Sequence, residues 1–220
     1  MLVIEEEEKE DNIININHDV LKNITFHLCD INKDIVDEWE SQFEGLINFN
    51  FNYSDIFKCP ISDKNVNAIV SQANSFGDLQ GGIDLIYYNY FGHNLEERLQ
   101  KTIMEEKHGE LIIGDAIILS MNGIYNYFIS APTMRIPMVV SDSINAYLAF
   151  RAVLIKLIEF NKVSDNPITN VICPGLGTSI GKISAEKCAK QMLDAYTIMI
   201  RSDYHLDLMK KSCEHYSMCE

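Results

Sequence analysis

The chain has 220 residues, an apolar fraction of 47% and a formal net charge of −14. Such length and apolar content suit one sizeable α/β domain with a modest extension. So negative a balance argues against nonspecific binding to nucleic acid or to an acidic membrane surface. Any anionic ligand must therefore be held by local donors working against the overall field. The run Glu5-Glu6-Glu7-Glu8 is the opposite of a secretory or transit signal. No apolar run approaches the roughly 18 residues of a membrane span, so no membrane partner and a cytoplasmic location are expected. Cys29, Cys59, Cys173, Cys188, Cys213 and Cys219 show no metal-type pairing, and no histidine partner stands at finger spacing. Reduced thiols, no metal and no cofactor are the expectation.

In chain order, residues 1–20 read as an acidic, disordered tail and residues 21–200 as the domain. A strand over Ile24–Cys29 leads into a helix over Ile35–Phe43, where Ile35, Val36, Trp39 and Phe43 recur at roughly helical spacing. A second strand is expected near Leu46–Tyr53 and a third over Asn67–Val70. After a glycine turn, Leu85–Phe91 continues as an apolar helix, and Leu95–Glu106 reads as a charged surface helix. Ala116–Leu119 and Tyr127–Ser130 read as two strands separated by the turn signal Asn122-Gly123. Ile144–Phe160 is a strongly apolar helix with Ala146, Ala149 and Ala152 as close-packing positions. Asn170–Cys173 is a short final strand, and Ala185–Met199 an amphipathic helix. The tail over 201–220 is a surface helix or a frayed end. Strands alternating with helices imply a largely parallel or mixed sheet covered on both faces.

Two loops sit at carboxyl ends of strands and carry glycine. The first runs from Asn74 through Gly81, Gly82 and Ile83 to Asp84; the second runs from Pro174 to Gly181. Backbone N–H groups freed of side chains, together with a helix start, favour an anion. Two such loops can clamp a diphosphate from both sides, with the Thr178 or Ser179 hydroxyl assisting. Neither loop matches the GxGxxG of a first βαβ unit or the GK[ST] of a P-loop, which argues against a dehydrogenase and an NTPase. Plainer readings stand beside these. Asp55 and Asp84 are residues that commonly cap helix starts, Asn74 suits a left-handed turn, and the glycines of 175–181 could serve close helix–sheet packing. Arg135 is as well suited to an acidic surface partner as to a phosphate. The six histidines form no constellation with the cysteines or serines.

In this order the motifs resemble those of macro domains, the ADP-ribose-binding α/β/α modules, over residues 52–199. Tyr53-Ser54-Asp55-Ile56 resembles the family's Gly-Asp-Ile segment. Val66 to Asn74 is similar to VDAIVNAAN, and Gly81-Gly82-Ile83-Asp84 to the tail of GGGGVD. Gly114-Asp115-Ala116 resembles the GEA turn, and Pro174 to Gly181 the second phosphate loop. The resemblance implies a three-layer α/β/α fold with a mixed central sheet. It implies Asp55 on the adenine amino group, with Ile56 beside the ring, and Asn74 at the distal ribose. Gly81, Gly82 and Ile83, with Gly175, Gly177, Thr178, Ser179, Ile180 and Gly181, would hold the diphosphate. Asn74 and Asp84, ten residues apart as in hydrolase members (84 − 74 = 10), would be catalytic, Asp84 orienting an attacking water.

The resemblance thus implies an ADP-ribose binder that hydrolyses ADP-ribosyl esters, on a modified protein or in O-acetyl-ADP-ribose. The alternative is a non-catalytic reader of ADP-ribosylated proteins or free ADP-ribose; an assembly protein that has lost the ligand is a weaker one. Several departures stand out. Asp78-Leu79-Gln80 replaces further glycines before Gly81. Gly181 stands where an aromatic usually covers the distal ribose, which leaves Phe76 as a candidate shield. Gly181 also falls near the aspartate of a lysine-dependent hydrolase branch, so that route is not expected. Ala131 to Met138 replaces a His-Thr-Val-Gly-Pro segment.

Overall fold

The structure is a computed structural model, and it describes residues 19–200 and 208–219. Its centre is a six-stranded sheet in the order β2-β1-β6-β3-β5-β4. The strands are β1 (Thr25–Asp30), β2 (Phe49–Tyr53), β3 (Asn67–Ser71), β4 (Ile117–Ser120), β5 (Tyr127–Ser130) and β6 (Asn170–Cys173). All neighbours pair parallel except β4 and β5, which are antiparallel and make the sheet mixed. The Asn122-Gly123 signal falls in that antiparallel connection, with Gly123 at φ 98° and the Met121 N–H donating to the Asn126 carbonyl.

Period-two alternation assigns each strand residue to one of two cores. Phe26, Leu28, Ala68, Val70, Val171 and Cys173 face one core, against α1 (Lys33–Gln42), α4 (Asn145–Val163) and α5 (Ala185–Ile200). Cys29, Ile69, Phe128 and Ile172 face the other, against α2 (Gly82–Phe91) and α3 (His93–Glu106). The result is a three-layer α/β/α sandwich. The helix starts follow local chemistry: the Asn32 side chain caps α1 by accepting the Asp34 N–H at 3.0 Å. Ala146, Ala149 and Ala152 are all buried, and their small side chains let α4 lie close against its neighbours.

Several expected boundaries move, and one move matters for the site. β1 runs one residue beyond Cys29, so Asp30 closes the strand at its carboxyl end. β2 starts only at Phe49, because Leu46 is held in a turn by its N–H bond to the Phe43 carbonyl. The helix expected as a charged surface element, α3, buries Leu95, Leu99, Ile103 and even Glu96. The expected acidic tail of residues 1–20 lies outside the described residues apart from Asp19 and Val20, which are helical. Within 201–220 the described part is a helix, α6 (Leu208–Cys219). It docks against α5 through Lys187 Nζ and Gln191 Nε2, which donate to the Cys219 and Met218 carbonyls, with Met218 buried. No described helix is long and apolar enough to cross a membrane.

The first core is unusually aromatic around β1. Phe26 stacks on Phe49 at 4.9 Å and meets Phe150 and Tyr196 edge-on. Phe26→Ala should therefore lower stability by about 3–5 kcal/mol, the range for emptying a fully buried aromatic site. Chemical denaturation read by tryptophan fluorescence measures it, since Trp39 lies in the same core.

Candidate functional site

The carboxyl ends of β1, β3 and β6 open on a cleft of about 400 Å³, within the size range of small-molecule sites. This is where parallel sheets place ligands, because each strand there releases its chain into a loop. One end is walled by Cys29, Ser54, Asp55 and Ile56. Asp55 caps the short 3-10 turn Ile56–Lys58 by accepting the Phe57 N–H on Oδ1 at 2.9 Å. Oδ2 of Asp55 has no acceptor role toward the described residues, so capping leaves one carboxylate oxygen for a ligand donor. Cys29 Sγ donates to the Ser54 carbonyl at 3.4 Å. A hydrogen bond with Cys59 pulls the Cys29 thiol pKa down, outweighing the burial that raises it.

The other end is formed by the two loops. Gly82 and Ile83 start α2 and line the cleft from one side, and Pro174, Thr178 and Ser179 line it from the other. The loops touch above the cleft: a Cβ on Gly81 would lie 3.2 Å from Ile180 Cδ1. Gly181 is fixed by close approach, because a Cβ there would sit 2.5 Å from the Gly177 carbonyl oxygen. That contact is why no aromatic side chain can occupy the position. The N–H groups of Thr178, Ser179 and Ile180 bond to no described protein acceptor, and with the N-terminus of α2 they are the natural anion donors.

Of the residues expected at the site, Asp55, Ile56, Gly82, Ile83, Thr178 and Ser179 line the cleft. Gly81, Gly175, Gly177, Ile180 and Gly181 build the loops without lining it. Asn74 and Asp84 also lie behind the surface, each 8% exposed. The Asn74 amide is used inside its own turn, donating to the Asp78 carbonyl at 2.9 Å and accepting the Phe76 N–H at 3.0 Å. Asp84 lies in the first turn of α2, whose N-cap is Gly81. Its Oδ1 accepts the Ser71 hydroxyl at 2.5 Å. Burial raises the Asp84 pKa to about 7, with Asp78 adding to the rise and the Ser71 bond opposing it.

The altered first loop has its own support. Leu79 is fully buried, and its N–H donates to Glu96 Oε1 at 2.9 Å, so a buried carboxylate replaces the flexibility of glycine. Arg135 pairs with Glu110 through two hydrogen bonds of 2.8 and 3.1 Å and lies 5.1 Å over the Phe76 ring. Neither Arg135 nor Phe76 lines the cleft. Among the described residues, no cluster of histidine, cysteine and carboxylate is placed to hold a metal ion.

Four cleft residues with polar side chains escape the motif reading: Asp30, Asn32, Ser54 and Gln72. Ser54 and Gln72 lay inside quoted motifs, and the signal at Gln72 was its length, since it stands where VDAIVNAAN has an alanine. Gln72 reaches across to the second loop and accepts the Gly177 N–H on Oε1. Asp30 accepts the Gly175 N–H on Oδ2 at 3.1 Å and the Asn32 N–H on Oδ1 at 2.8 Å.

A mixed three-layer sandwich with a cleft between a β3 loop and a β6 loop defines a class of α/β ligand-binding modules. The sequence model of the family described as "Macro-like domain" matches residues 16–212, and the chain belongs to that family. The macrodomain of Mycobacterium tuberculosis DarG superimposes with a TM-score of 0.53 at 19% identity, over 66% of this chain and 86% of that one. A mutant of the Oceanobacillus iheyensis macrodomain, solved with ADPR, gives 0.51 at 18% identity, over 63% and 73%. An uncharacterized protein of Aquifex aeolicus is 27% identical over 141 residues, 63% of this chain and 78% of its own length.

Asp84 makes the site sensitive to pH. Its folded pKa of about 7 lies above the ordinary 3.8, so the folded state holds the proton more tightly than the unfolded chain. Its stabilisation is complete below about pH 4 and is lost as pH rises through 7. Asp84→Asn should thus flatten the fall in stability between about pH 4 and 7 by up to about 1.4 kcal/mol per pH unit. Denaturation midpoints of the two proteins across that range give the difference, which cancels the opposite contribution of His27, whose pKa burial lowers.

Proposed function

We propose that the cleft binds ADP-ribose, with adenine against Asp55 and Ile56 and the diphosphate on the donors of Gly82, Ile83, Thr178 and Ser179. The observation that carries this reading is one continuous cavity joining a free carboxylate oxygen at one end to unpartnered backbone N–H groups at the other. A carboxylate suits an exocyclic amino donor, and N–H groups at a helix start suit a phosphate. Membership of the family and the ADPR in the Oceanobacillus macrodomain support the same ligand.

Within this reading the chain acts as a non-catalytic reader, or as a binder of free ADP-ribose. What supports the reader is that Asn74 and Asp84 are engaged in holding the loop and lie behind the cleft surface. One observation favours a second reading, hydrolysis of ADP-ribosyl esters by an Asp84-oriented water: a carboxyl with a pKa of about 7 is suited to proton transfer near neutrality.

Two measurements test these readings. Asp55→Ala should weaken ADP-ribose binding about tenfold in titration calorimetry, the effect of losing a hydrogen bond to a charged group. Asp55→Ser, which retains a helix-capping side chain, should weaken it equally while keeping the wild-type melting temperature. Incubated with an auto-ADP-ribosylated protein, the wild type should retain the label on that protein. Label loss that disappears in Asp84→Asn would establish the hydrolase instead.

A further inference from the structure

Gly175, Leu176 and Gly177 open the second loop, and all three of their N–H groups are already bonded. Leu176 donates to the Cys188 sulfur at 3.3 Å, behind the cleft. The other two acceptors differ, because they belong to the cleft wall: Asp30 Oδ2 takes the Gly175 N–H and Gln72 Oε1 takes the Gly177 N–H. Gly175 and Gly177 do not reach the cleft surface, whereas the two side chains covering them do. The fit is close, since a Cβ on Gly175 would lie 3.0 Å from Asp30 Oδ2. An aspartate oxygen and an amide oxygen thus stand on donors that an entering phosphate would otherwise take.

Charge sharpens the effect. Among the described residues, the lining holds Asp30 and Asp55 and contains no lysine, arginine or histidine. A diphosphate arriving at the second loop meets a fixed carboxylate and no side-chain cation, within a chain of net charge −14. Unlike Asp55, Asp30 has both oxygens bonded to backbone N–H groups, which hold it in place.

Building on the ADP-ribose reading above, we propose that Asp30 and Gln72 are specificity-determining residues, an internal anion mimic that discounts the diphosphate. The cleft then selects its ligand mainly by the nucleoside end, and discriminates weakly between ADP-ribose and adenosine. Removing either mimic frees one loop N–H for a phosphate oxygen and restores diphosphate selectivity.

The test measures adenosine and ADP-ribose affinity by calorimetry for wild type, Asp30→Ala and Gln72→Ala. The expected result is a ratio of ADP-ribose to adenosine affinity that rises about tenfold in each variant, the effect of one recovered charge-assisted hydrogen bond. A ratio that stays the same or falls in Gln72→Ala, in a wild type that binds both ligands, overturns the proposal and leaves the ADP-ribose reading standing. Absence of binding of either ligand to all three proteins overturns the ADP-ribose reading, and this proposal with it. Asp30→Ala also removes the acceptor of the Asn32 N–H, so melting curves accompany both variants. Gln72→Ala, which shortens a side chain to the size of its neighbour Ala73, decides the matter if Asp30→Ala does not fold.

Discussion

The hydrogen bond from Ser71 to the buried carboxyl of Asp84 ties the end of β3 to the first turn of α2. β3 is buried along its whole length, between β5 and β6, so its carboxyl end is a fixed point. Everything in the first loop is placed relative to that point. Asn74 closes the turn that follows, Glu96 holds Leu79, and the glycine pair then delivers the α2 N-terminus to the cleft. Burial at this depth favours the protonated carboxyl, while the Ser71 bond itself favours the carboxylate.

Among the described residues, the cleft offers an anion backbone donors and no side-chain cation. Its attraction comes from backbone N–H groups and the start of α2, which carry partial positive charge at fixed positions. Against them stand Asp30, Asp55 and an acidic chain. Fixed dipoles act over short range, whereas net charge is screened beyond about 10 Å at ordinary salt. Asp30 and Gln72 each occupy one loop N–H that would otherwise face an anion.

Most elements were readable because each carries its own pattern. Phe26 and Leu28 alternate with His27 and Cys29, and Ile35, Val36 and Trp39 recur at helical spacing, whatever the rest of the chain does. The glycine loops were readable for the same reason, since glycine between a strand and a helix marks a tight turn or a close backbone approach. α3 is the charged surface helix its sequence implies, but Glu96 is buried because Leu79 and Gln80 are brought to it from another loop.

The sequence by itself determined the alternation of strands and helices, the family motifs, the acidic balance and the two loops that frame the cleft. These are local properties, or sums over composition, and they survive without knowledge of distant contacts. Only the tertiary structure decided which side chains face the cleft. It turned Asn74 and Asp84 inward onto backbone and Ser71, and it brought Asp30 and Gln72 onto N–H groups 145 and 105 residues away. Parallel pairing of β1, β6 and β3 places those strand ends side by side, and no spacing along the chain encodes that adjacency.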